Sequence, residues 1–94
     1  MRTKITKWDI ADHLKTDNEI LDYLNIILEK NDPSLLVSAL GDIARAKGMT
    51  AIARDTGLGR ESLYKALGAT GNPSFATVQK VMVALGLKLQ VSNM

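Results

Sequence analysis

Ninety-four residues, 46% hydrophobic and 23% charged with a mean hydropathy near zero, make one small folded domain and leave no room for a second core. The chain has no cysteine, which excludes disulfides and thiolate metal sites, and no apolar run approaches a membrane span or a secretory leader, so the cytoplasm is the expected address. The net charge of +2 is small but unevenly spread: residues 1–32 hold five basic against seven acidic side chains, residues 33–94 seven against three, so an acidic partner is sought in the second part.

In chain order, residues 1–32 read as an acidic helical extension. Trp8, Ile10, Ala11 and Leu14 suit a first short helix anchored on the bundle, and the other reading is that this acidic segment docks a basic partner. His13 with Asp9 and Asp12 shares one helical face, but three ligands from a single turn more often form a solvated polar face, so neither metal nor cofactor nor catalysis is expected there. Thr16-Asp17-Asn18-Glu19 has the capping-box pattern, after which Ile20, Leu24, Ile27 and Leu28, with Leu21 beside them, recur at helical spacing.

Residues 33–86 form the expected core. Asp32-Pro33, a cap acid followed by proline at the first helical position, opens a helix that buries Leu35, Leu36, Ala39, Leu40, Ile43 and Ala44 and stops at Gly48. Short helices are predicted over about 50–56 and 60–67. A last one follows Asn72-Pro73-Ser74, with Phe75, Val78, Val81, Met82 and Leu85 at helical spacing, and closes at Gly86. Residues 87–91, LKLQV, alternate with period two. This predicts a C-terminal β-strand with Leu87, Leu89 and Val91 on one face, and since nothing else in the chain reads as a strand, its partner would be a second copy in a homodimer. The alternative is an extended coil packed on the helices.

The stretch TGLGRES, 56–62, places Gly57 and Gly59 two apart ahead of a helix, which is half of a dinucleotide-binding fingerprint. That fingerprint needs a buried strand before the first glycine, whereas MTAIARDT has helical spacing. The glycines instead suit a joint between two short helices: Gly57 left-handed at the first one's end, Leu58 plugging the corner, Gly59 capping the second. Such a pair is a helix-turn-helix. Ala53 is small where the helices cross, and Ile52, Leu58, Leu63 and Leu67 fall inward. At about 100° per residue, Glu61 and Lys65 point away from the core, with Ser62 and Tyr64 on the flanks, the arrangement of a helix that enters a DNA major groove.

The stretch from GMTAIARDTGLGRESLYKAL to ALGLKLQV resembles the lambda-repressor-like (Xre) helix-turn-helix family and, more closely, the addiction-module antidote proteins, the antitoxins of bacterial toxin–antitoxin operons. The resemblance covers nearly the whole chain, from KWDIADHLKTDNEILDYLN onward, and SLYKAL, GNPSFATV and ALGLKLQV are its most specific pieces. It implies an all-α bundle of about five to six helices, and a DNA-binding repressor of its own operon that also neutralises a cognate toxin, often a small RelE-like mRNA interferase. Carried over by residue, Thr50 would hold a phosphate, Arg60, Glu61 and Lys65 would reach base edges, and Ser62, Tyr64 and Asn72 would contact backbone or flanking bases. Gly59 departs from the serine or threonine common at that cap. Trp8, Asp9 and Asp12 are the residues on which the toxin reading would rest.

Blander readings stand beside these. Glu61 and Lys65, acid first and four apart, suit a solvent-exposed ion pair, and Tyr64 could lie across a neighbouring helix. For function, a protein-interaction module that has lost DNA binding and a stand-alone phage-type repressor are the alternatives.

Overall fold

The computed structural model describes residues 16–93. Within them are five helices: α1 (Asp17–Leu28), α2 (Pro33–Lys47), α3 (Met49–Thr56), α4 (Arg60–Ala66) and α5 (Phe75–Ala84). The short helix expected around Trp8, Ile10, Ala11 and Leu14 lies outside the described residues, as do Asp9, Asp12 and His13.

Three helices begin on side-chain caps that the sequence announces. The Thr16 Oγ1 accepts the Glu19 N–H at 3.1 Å while Glu19 Oε1 accepts the Thr16 N–H at 3.0 Å, the reciprocal capping box. Asp32 Oδ1 accepts from the amides of Ser34 and Leu35 ahead of the proline-led α2, and Ser74 Oγ accepts from Thr77 ahead of α5. Each cap satisfies amides that the first helical turn leaves without partners, and contributes about 1 kcal/mol.

The core is a single cluster built from all five helices. Ile20, Leu24 and Ile27 seat α1 on α2. Leu40, Ile43 and Ala44 of α2 meet Ile52 and Ala53 of α3, Leu63 of α4, and Val81 and Met82 of α5. α3 is the hub, packing on α2, α4 and α5. One buried polar bridge joins the first two helices: Tyr23 donates its hydroxyl to Asp42 Oδ2 at 3.4 Å, and the Arg45 guanidinium holds the other oxygen of the same carboxylate. Burial, then the Asp42 charge and its hydrogen bond, raise the Tyr23 pKa above its ordinary value, so the phenol stays protonated in the fold.

The apolar stripes are narrower than their periodicity suggests. Leu21 and Leu28 flank the buried stripe of α1 and stay exposed. Phe75, at the first position of α5, is 66% exposed because the core beneath that helix begins a turn later, at Val78.

The predicted C-terminal strand is not formed, and with it goes the strand-paired dimer through Leu87, Leu89 and Val91. Among the described residues there is no strand, and those after Gly86 carry no regular secondary structure. The physical reason is a helix-terminating motif. Gly86 is left-handed at φ 79, its N–H donates to the Val83 carbonyl at 3.0 Å, and the Leu87 N–H donates to the Met82 carbonyl at 2.8 Å. This is the Schellman pattern, and its accompanying apolar contact is Leu87 folded back on the core. The first apolar residue of LKLQV therefore belongs to the end of α5, while Leu89 is 42% and Val91 99% exposed.

Candidate nucleic-acid interface

The expected site centres on α3, the joint and α4. Gly57 ends α3 at φ 77, ψ 7, in the left-handed region open to a residue with no Cβ. The chain turns through Gly57, Leu58 and Gly59, with Leu58 half-buried against the core, and α4 begins at Arg60. The turn is pinned by Thr56. Its buried hydroxyl donates to the Ile52 carbonyl at 2.8 Å and accepts the Leu58 N–H at 3.3 Å, tying the end of α3 to the corner.

Leu63 is fully buried and Leu67 nearly so, which fixes the rotation of α4 and sends the rest of its face outward. Arg60, Glu61, Ser62, Tyr64 and Lys65 are all exposed. Glu61 and Lys65 do not pair with each other, and the salt bridges among the described residues lie elsewhere, at Asp42–Arg45, Asp17–Lys47 and Arg54–Asp55. Tyr64 stands beneath Arg60, whose Cζ lies 5.8 Å from the ring centroid. That cation–π contact restrains a long side chain that would otherwise lose its freedom on docking.

Asn72 comes to this face as well: it lines one shallow groove with Ser62 and Lys65. Thr50 is exposed at the second position of α3, whose cap, Gly48, offers no side-chain hydrogen bond to the first amides. Gly59 likewise caps α4 without a side-chain bond, as its missing side chain requires.

Two glycines seat α4, and neither stands out in the sequence as part of the site. A Cβ on Gly41, in the middle of α2, would come 2.7 Å from the Leu67 carbonyl oxygen. A Cβ on Gly71 would come 2.1 Å from the Ala66 carbonyl oxygen. The end of α4 is thus clasped between the backbone of α2 and that of the following loop. The one available signal is Gly41 itself, a glycine inside an apolar helical stripe, which marks a close backbone approach.

Among the described residues no group of histidine, cysteine and carboxylate side chains is arranged to hold a metal ion, and no helix is long and apolar enough to cross a membrane. The described residues define a compact all-helical unit that exposes a short polar helix on a rigid joint. Over residues 4–93 the chain matches the family described as "Probable addiction module antidote protein", and it belongs to that family. An uncharacterised protein of Haemophilus influenzae strain Rd is 56% identical over 93 residues, spanning 99% of this chain and 96% of its own. No solved structure matches. Membership in an antidote family carries an antitoxin role in an addiction module and, with it, a toxin partner.

Proposed function

We propose that this antidote is a DNA-binding, homodimeric autorepressor in the cytoplasm and has no enzymatic activity. α3 and α4 act as a helix-turn-helix of the Xre type, and a cognate RelE-like toxin is the protein it neutralises. The observation that carries the DNA reading is the division of α4 into two faces. Leu63 and Leu67 lock one into the core, while Arg60, Glu61, Ser62, Tyr64 and Lys65 stand together in solvent. A rigidly held helix with a free polar face is what major-groove reading requires.

In this reading Arg60 and Lys65 address guanine acceptors, Glu61 a cytosine amino group, and Ser62, Tyr64 and Asn72 the adjoining backbone or flanking bases. Thr50 and the uncapped amides at the start of α3 hold a phosphate, favoured by the positive end of the helix.

The test is a gel shift on the protein's own upstream promoter at two salt concentrations. Each of Arg60→Ala and Lys65→Ala should weaken specific binding by about 1–3 kcal/mol, and affinity should fall with salt as phosphate contacts release counterions. Absence of sequence-specific binding at low salt, both for the protein alone and for its toxin complex, would turn the reading toward a pure protein-docking module.

A further inference from the structure

We propose that Tyr64 is a positioning residue that sets base specificity: its ring holds the Arg60 guanidinium ready, N–H edge free, and so sharpens the selection of guanine. The inference rests on the DNA reading of α4 and names the means by which the first residue of that helix discriminates. Arg60 opens α4 and Tyr64 lies four residues on, so one helical turn brings both to the same outward face. The Arg60 Cζ sits 5.8 Å from the ring centroid, within the range of a cation–π contact. Tyr64 is 43% exposed and Arg60 is exposed beside it, so the pair forms in solvent, before any ligand arrives.

What the ring leaves free gives the contact its use. An acid at position 64 would also hold Arg60, but it would occupy the guanidinium N–H groups and cancel the charge that guanine acceptors attract. A ring draws the cation to its face and accepts no N–H from its edge, so the fork stays available for the O6 and N7 acceptors of guanine. Glu61 does not take it either. Adjacent residues on a helix do not face each other, and the salt bridges among the described residues lie at Asp42, Asp17 and Asp55. Ordering a long side chain ahead of docking removes part of the entropic cost of docking. It does so in one geometry only, so the gain falls on the base that this geometry fits.

Tyr64→Phe keeps the ring and Tyr64→Leu removes it, both at an exposed position. In the DNA-free full chain, proton NMR should show the Arg60 Hδ signals shifted upfield by the ring in the parent and in Tyr64→Phe, and returned to ordinary values in Tyr64→Leu. In a gel shift on the upstream promoter, Tyr64→Phe should bind as the parent does. Tyr64→Leu should lose roughly two- to fivefold in specific affinity, the size of an exposed cation–π contact, with binding to unrelated DNA unchanged. In an Arg60→Ala background the same Tyr64→Leu change should cost nothing further, since the group it acts through is gone. A parent without the upfield shift, a Tyr64→Leu variant that binds like the parent, or an equal loss in the Arg60→Ala background would each overturn the proposal. The last result would make Tyr64 a DNA contact in its own right. A parent that binds no operator DNA, alone or with its toxin, while Arg60 keeps its upfield shift, fails the DNA reading itself and takes this inference with it.

Discussion

Gly71 decides the placement of α4 more sharply than any charged residue near it. An added methyl at this position meets backbone on the Ala66 carbonyl, not the movable end of a side chain, so the loop carrying Asn72 must shift. Gly71→Ala should lower stability by about 1–3 kcal/mol, the usual range for overpacking a tight site, read as a fall in thermal midpoint. Gly59 is the control: its φ of −70 suits any residue and a Cβ there meets nothing within 4 Å. Gly59→Ser should therefore stabilise by a few tenths of a kcal/mol through a new N-cap bond. Equal melting of the Gly71→Ala variant and the parent would show that the loop does not need this close approach. The exposure of Glu61 and Lys65 could be read from helical spacing around Leu63, because rotation about a helix is a local property. The need for glycine at 71 could not, because the atom it avoids belongs to a different element.

At the scale of elements, helix starts were legible and the tail was not. Thr16, Asp32 and Ser74 cap where their side chains predict, since a cap is satisfied within three residues. The period-two pattern of LKLQV has a different cause, the Schellman contact at Leu87 followed by exposed residues. A chain ending after Lys88 should melt like the parent. One ending after Gly86 loses both the Leu87 N–H bond to Met82 and the apolar contact, and should melt several degrees lower, since about 1 kcal/mol moves the midpoint of a domain this size by roughly 4–8 °C. Matching melts for the two truncations would remove Leu87 from the account of how α5 ends.

For the whole molecule, the governing feature is the separation of charge along the chain. The acidic residues 1–32 precede a part that carries seven basic against three acidic side chains, so under the proposed function a cationic toxin would favour the first part of the chain and DNA the second. Complementary charge speeds association. Deleting residues 1–15 removes Trp8, Asp9 and Asp12 while keeping the Thr16 cap of α1. The shortened protein should retain operator binding in a gel shift and lose retention of the co-expressed toxin on an affinity column. A toxin complex unaffected by the deletion would move the docking surface away from that segment.

The sequence by itself determined the all-helical core, the starts of the three helices capped by Thr16, Asp32 and Ser74, the glycine joint and the outward face of α4, but not the start of α3, expected at Thr50 and found at Met49 behind Gly48. The features it determined depend on hydrogen bonds and side-chain periodicity within a few residues. Only the tertiary structure decided that Gly41 and Gly71 clasp the end of α4, that Asn72 joins Ser62 and Lys65 on one face, and that Phe75 and Val83 are left in solvent. It also turned the expected strand into the end of a helix. Those outcomes depend on which backbone lies opposite a residue, and periodicity along one element carries no record of its neighbours.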